Sequence, residues 1–248
     1  EDVREKDGAV ILPAGLKPGA NRRFAGEDFA VGAPAVAAGT RLDARHVATL
    51  AAVGRATVEV TPRVRVALFS TGDELARPGE ALTAGATYDA NRPLLAALLA
   101  RREVEVSDLG ILRDDVRETA AALGRAAAAH DLILTSGGVS TGEADFVKEA
   151  IESIGALSFW RLAIKPGRPV AMGSIAGCAF VGLPGNPVAA FVTFARLAGP
   201  LIDRLAGTEA RLAPGYPAIA DFHARKKEGR REYMRGSARR DPGRLTVS

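Results

Sequence analysis

Asp131-Leu132-Ile133-Leu134-Thr135 runs without a break into Ser136-Gly137-Gly138-Val139-Ser140-Thr141-Gly142-Glu143-Ala144-Asp145. The first five residues are a short apolar run of the buried-strand type. Glycines and hydroxyl side chains follow, and from about Ala144 to Ile154 the chain reads as a helix. A buried strand that empties into a glycine turn and then a helix is the repeating unit of a parallel sheet covered on both faces.

The same alternation extends both ways. Upstream, Val64 to Phe69 is a strand ending in the polar turn Ser70-Thr71-Gly72-Asp73-Glu74. Pro93 to Arg101 is a helix with proline near its start. Glu103 to Val106 begins a strand that Leu109 to Leu112 prolongs, and Asp115 to Ala129 is an alanine-rich helix. Downstream, Leu157 to Ile164, Val170 to Gly173 and Cys178 to Val181 read as strands. One long helix, Val188 to Leu205, stops at Gly207. The fold class expected is α/β, a mostly parallel three-layer α/β/α domain. Before Pro62 the chain is loop-rich, with a helix over Leu42 to Val53 capped by Asp43 and a strand over Thr57 to Val60. From Pro214 it turns strand-like and basic. The domains expected are a remnant of an N-terminal β-rich domain (1–30), a connecting helix-strand segment (31–62), the α/β domain (63–207) and the start of an incomplete C-terminal β domain (208–248).

Composition narrows the function classes. Of 248 residues 47% are hydrophobic and 25% charged, which excludes a disordered chain. A single cysteine excludes a disulfide framework and a Cys-rich zinc site. No apolar run approaches the roughly 18 residues of a membrane span. The charged start Glu1-Asp2-Val3-Arg4-Glu5-Lys6 shows no apolar signal region, so a cytoplasmic protein is expected. Between Phe222 and Arg244 stand nine Lys/Arg against Glu228, Glu232 and Asp241, on a chain of net charge +4. That basic segment suits an anionic partner or a solvated face. Its single tyrosine and single phenylalanine argue against a nucleic-acid stacking surface.

In such a sheet, ligands bind where strands end and helices begin. The loop from Ser136 to Asp145 fits an anion best: glycines let backbone N–H groups approach, a helix N-terminus follows, and Ser136, Ser140 and Thr141 can donate. It lacks the Gly-Lys-Ser/Thr of a nucleotide P-loop. Asp145 either caps the helix or holds a hard cation such as Mg²⁺. Asp73, Glu74, Asp114 and Asp115 add carboxylates on the same edge, as metal ligands or as separate caps and turn formers. Lys165 and Arg168 flank a Pro-Gly turn and suit an anion. Gly182-Leu183-Pro184-Gly185-Asn186-Pro187 is a rigid turn opening a helix, with Asn186 as N-cap or ligand contact. His46, His130, His223, Cys178 and Trp160 read as structural.

Taken together, Ser70-Thr71-Gly72-Asp73-Glu74-Leu75, Tyr88-Asp89-Ala90-Asn91-Arg92, Ser136-Gly137-Gly138-Val139-Ser140 with Gly142 and Asp145, Lys165-Pro166-Gly167-Arg168-Pro169 and Gly182-Leu183-Pro184-Gly185-Asn186-Pro187 resemble the MoeA/gephyrin E-domain family. Order and spacing agree over Arg63 to Gly207, and Asn21-Arg22-Arg23, Gly26-Glu27-Asp28 and Phe159-Trp160-Arg161-Leu162-Ala163-Ile164 fit as well. The resemblance implies a molybdopterin molybdenumtransferase that inserts molybdate into adenylylated molybdopterin and releases AMP, with a divalent cation, taken as Mg²⁺. It implies Asp114, Asp145 and Glu74 as catalytic, with Asp114 and Asp145 on the metal. The substrate-binding set it implies is Thr71, Gly72, Asp73, Asn91, Ser136, Gly137, Gly138, Val139, Ser140, Thr141, Lys165, Arg168, Pro184, Asn186, Pro187, Arg230 and Arg235. Arg161 stands where the family commonly has lysine.

The resemblance also implies a homodimer, an upstream adenylyltransferase as a further partner, and neither nucleic acid nor membrane. Against family members the chain reads as truncated at both ends. Two alternatives are a molybdopterin adenylyltransferase, whose loop typically reads Gly-Gly-Thr-Gly where this chain has Gly137-Gly138-Val139-Ser140, and a non-enzymatic gephyrin-like scaffold. A nicotinamide oxidoreductase is disfavoured because no Gly-x-Gly-x-x-Gly follows the first strand.

Overall fold

Two units make up the chain, Glu1–Glu59 and Val60–Ser248. The computed structural model describes residues 3–20, 22–138, 145–210, 212, 214–226 and 228–248, without the side chains of Asp145, Phe159 and Trp160.

In the first unit, β1 (Arg4–Lys6) and β2 (Ala9–Ile11) pair antiparallel around Asp7-Gly8, both at positive φ, the backbone a tight hairpin needs. Helix α1 (Ala44–Ala52) starts at Asp43, whose carboxylate accepts from the backbone N–H groups of Arg45 and His46. His46 Nδ1 accepts from the Asp43 N–H in return, closing a capping box. The expected strand over Thr57 to Val60 does not form. Those residues are exposed and have no ladder partner, and alternation alone does not make a strand.

The second unit alternates as the apolar runs dictate. Its elements are β3 (Arg65–Thr71), β4 (Leu75–Ala76), β5 (Thr87–Tyr88), α2 (Asn91–Leu99), β6 (Glu105–Leu112), α3 (Val116–Ala129), β7 (Leu132–Ser136) and α4 (Asp145–Ile154). Then come β8 (Gly155–Arg161), β9 (Ile164–Lys165), β10 (Pro169–Ile175), β11 (Cys178–Leu183), α5 (Pro187–Thr193) and α6 (Gly199–Leu205). Four short strands close it: β12 (Ile219–Ala220), β13 (Arg231–Glu232), β14 (Ala238–Asp241) and β15 (Arg244–Val247).

The main sheet has six strands in the order β6-β3-β7-β11-β10-β8. The first four run parallel, and β10 is antiparallel to both of its neighbours. Side chains alternate between two cores. Val66, Leu68, Leu132, Leu134, Val181 and Leu183 pack with Leu95, Leu99, Phe194 and Ile202. On the opposite face Ala67, Phe69, Ile133 and Phe180 pack with Leu123, Ala126, Val147 and Ile151. Coverage of both faces is why these strands read as continuous apolar runs.

Three expectations change in detail. Glu103 to Leu112 forms one strand from Glu105, with a bulge: Leu68 faces Asp108 and Phe69 faces Gly110, leaving Leu109 over. The strand expected to reach Ile164 ends at Arg161: the Leu162 N–H still reaches the Arg168 carbonyl in register with β10, and Ile164–Lys165 then pairs with β13 instead. The helix from Val188 to Leu205 is interrupted by a π-helical turn, Phe194–Ala198. Pro200 has no N–H to continue the α ladder, and the Gly199 N–H reaches back five residues to the Phe194 carbonyl.

Candidate functional site

From β3 the chain passes to β6 on one side and then crosses to β7 on the other. The connections therefore diverge above the C-terminal ends of β3 and β7, the switch point at which open α/β sheets bind ligands. Thr71 ends β3 and Ser136 ends β7, and the Thr71 hydroxyl donates to the Ser136 carbonyl at 3.4 Å. Gly137 and Gly138 take φ of +93° and +65°. A Cβ on Gly137 would lie 2.8 Å from the Thr71 carbonyl and hydroxyl oxygens, and one on Gly138 would lie 2.8 Å from Val147 Cγ2. Only glycine fits the base of this loop, by dihedral and by space. Val139, Ser140, Thr141 and Gly142 lie outside the described residues, as does Asn21. Asp145 begins α4, but its side chain also lies outside the description.

The predicted acids divide. Asp73 Oδ1 accepts from the Asp114 N–H at 3.2 Å, and Arg113 Nη1 donates to the Asp73 carbonyl at 2.9 Å. These bonds tie the loop after β3 to the loop after β6. The Glu74 carboxylate folds over Gly72, occupying the space a Cβ there would need. Asp115 is the N-cap of α3, accepting from the Glu118 N–H at 2.8 Å. Among the described residues no three His, Cys, Asp or Glu stand close enough to enclose a metal ion.

β8 runs parallel to β11 across β10, so the turn after it opens on the same edge. That turn carries Lys165 and Arg168, both exposed. The basic tail returns to it: β13 pairs with β9, and the Tyr233 N–H donates to the Lys165 carbonyl at 2.7 Å. Lys165 Nζ meets Glu232 Oε1 at 3.5 Å. Arg235 and Tyr233 line a cavity of about 510 Å³ with Leu94, Pro187, Val188 and Phe191. Arg230, one residue before β13, is partly buried.

The turn after β11 completes the edge. Pro184 is buried, and Asn186 caps α5 by accepting from the N–H groups of Val188 and Ala189 at 3.0 and 3.1 Å. Asn91 Nδ2 donates to the Gly185 carbonyl at 2.6 Å. A Cβ on Gly185 would lie 3.8 Å from the Gly137 Cα, so this turn backs the glycine loop.

Sequence reasoning quoted Asp89 and Arg92 without giving them a role. Asp89 is 1% exposed and accepts from Arg92 Nε at 3.0 Å, while Arg92 Nη1 donates to Asp108 at 2.7 Å. The spacing of Asp89 and Arg92, one helical turn apart, was the available signal. Glu232 left no signal, since its partner is 67 residues away.

The family model described as a probable molybdopterin binding domain matches residues 67–204, and that described as the MoeA N-terminal region (domain I and II) matches residues 1–54. The chain belongs to the MoeA family. A molybdopterin molybdenumtransferase of Haemophilus influenzae is 41% identical over 232 residues, covering 93% of this chain and 57% of the relative. One of Nostoc is 34% identical, covering 96% of this chain and 56% of the relative. The solved molybdopterin biosynthesis MoeA protein of Pyrococcus horikoshii superposes with a TM-score of 0.75 at 25% identity, over 99% of this chain and 59% of that one. The chain thus spans a little over half the length of the MoeA relatives it matches. The MoeA fold expected from the motifs, α/β with a mainly parallel central sheet and smaller flanking sheets, is the one observed.

Proposed function

We propose that this chain carries the substrate-binding core of a molybdopterin molybdenumtransferase, which inserts molybdate into adenylylated molybdopterin and releases AMP. The observation that carries the reading is the convergence of the loops after β3, β6, β7, β8 and β11 on one sheet edge, around a cradle that only glycine can line. The substrates are anions, and that edge offers both N–H groups and cations.

Residue roles follow from position. Backbone N–H groups of the 136–141 loop and the N-terminus of α4 take phosphate oxygens. Lys165 and Arg168, with Arg161, Arg230 and Arg235 nearby in sequence or along β9 and β13, draw molybdate electrostatically. Thr71, Gly72 and Asp73 form the opposite wall, Pro184, Asn186 and Pro187 shape the remaining side, and Glu74 is a further acid on the rim. Asp114 and Asp145 would hold Mg²⁺, which supplies charge neutralisation at the phosphate. Their donor chemistry fits: both are hard oxygen ligands, and Mg²⁺ commonly takes one or two carboxylates and keeps several waters, so no three-ligand protein cluster is required. The same reading carries a cytoplasmic homodimer supplied by an adenylyltransferase, with domains at 1–30, 31–62, 63–207 and 208–248.

Calorimetry of the chain with AMP, with and without Mg²⁺, tests the adenylate site. Binding strengthened by Mg²⁺ and lost in Asp145→Ala is the expected result. In a full-length form the same substitution lowers molybdate-dependent AMP release on the order of 10²-fold. Undiminished turnover removes Asp145 from the mechanism, and failure of both forms to bind AMP overturns the reading.

A further inference from the structure

The two ends of the Asn91 amide are unequally served. Nδ2 donates to the Gly185 carbonyl at 2.6 Å, which fixes the orientation of the amide because a carbonyl only accepts. Oδ1 is buried and has no hydrogen-bond partner among the described residues. The whole residue is 8% exposed. An unpaired amide oxygen removed from water weakens the fold, and an aliphatic side chain of similar size would not carry that penalty. Stability alone does not explain an asparagine here.

Its surroundings aim it. Asp89 accepts from the Arg92 backbone N–H at 3.1 Å and from Arg92 Nε at 3.0 Å, and Arg92 reaches Asp108 at the bulge of β6. The first turn of α2 is therefore fastened on one flank while Asn91 points from the other at Gly185. Gly185 backs Gly137, and Gly137 rests on Thr71. We infer that Asn91 is a positioning residue: it holds the Gly185 carbonyl and so sets the Pro184–Pro187 turn against the glycine cradle, at the expense of stability. This rests on the reading of that edge as the substrate site.

The test is Asn91→Leu, which fills the space without the amide, alongside Asn91→Asp, which keeps the shape but cannot donate to a carbonyl when ionised. For Asn91→Leu the melting temperature stays at or above that of the parent chain. In both variants AMP affinity by calorimetry falls about tenfold or more, and hydrogen exchange at the Gly137 and Ala190 amides quickens by a similar factor. A lowered melting temperature with unchanged AMP affinity and unchanged exchange overturns the inference and makes Asn91 a packing residue. If the parent chain binds no AMP, that result bears on the functional reading alone, to be settled with a full-length form, and exchange decides the positioning role. Quickened exchange at the two amides with an undiminished melting temperature sustains the positioning role, and unchanged exchange ends it.

Discussion

Cys178 opens β11 inside the core, and burial pushes its thiol up to about 11. The thiolate is the reactive species, so a disulfide reagent at pH 8 leaves the native chain untouched and labels it fully once urea has unfolded it. Rapid labelling of the native chain would show that this end of β11 opens. The residues most legible in the sequence were those whose partners are near in the chain. Asp43, Asp115 and Asn186 cap the helices they precede, and Gly137 and Gly138 lie where a strand must turn at once into a loop. Asp73 resolved into a fastener for Asp114 because its partner sits on another loop, 41 residues away. Asn91 and Gly185 are 94 residues apart, and no local pattern encodes such a bond. Two of the histidines have structural partners. His46 closes a capping box, and His130 joins the Ala126 carbonyl to the Ser107 hydroxyl.

At the scale of elements, helix α5 depends on its first turn. It is seven residues long before the π-helical turn, and Asn186 satisfies two of its otherwise open N–H groups. Asn186→Ala should cost about 1 kcal/mol, read as a lower urea midpoint with an unchanged slope. A midpoint equal to that of the parent chain would mean that packing of Ala189, Ala190 and Val192 holds the helix without its cap. Apolar periodicity located every long strand and helix of the sheet domain, because both sheet faces are buried and leave the pattern unbroken. It failed where pairing decides. Thr57 to Val60 alternates but finds no partner, whereas Arg231–Glu232 shows no strand pattern and pairs with β9 through backbone bonds and the Lys165–Glu232 ion pair.

Across the larger unit, the sheet is fastened at the end opposite to the site. Between Arg65 at the start of β3 and Asp131 just before β7, the Asp131 N–H donates to the Arg65 carbonyl, the Arg65 N–H donates to Asp131 Oδ2, and the side chains form an ion pair at 2.8 Å. The Arg65 guanidinium, through its hydrogen bonds, holds the Asp131 carboxyl below its ordinary 3.8. A lowered folded-state value means that this stabilisation is present above the unfolded pKa and is lost as pH falls through the folded one. Asp131→Asn should therefore melt below the parent chain at pH 7, with the gap closing as pH is taken below about 4. A gap that persists at pH 2 would assign the effect to the lost backbone contact instead of to charge. The pair is half exposed, so its share is modest. Its location matters more. The seven residues of β3 run from Arg65 to Thr71, about 20 Å of extended chain. Substitutions that far apart, with no shared partner, act independently. Acid tolerance can then be engineered at one end of these strands while specificity is recut at the other, and the two sets of changes should simply sum.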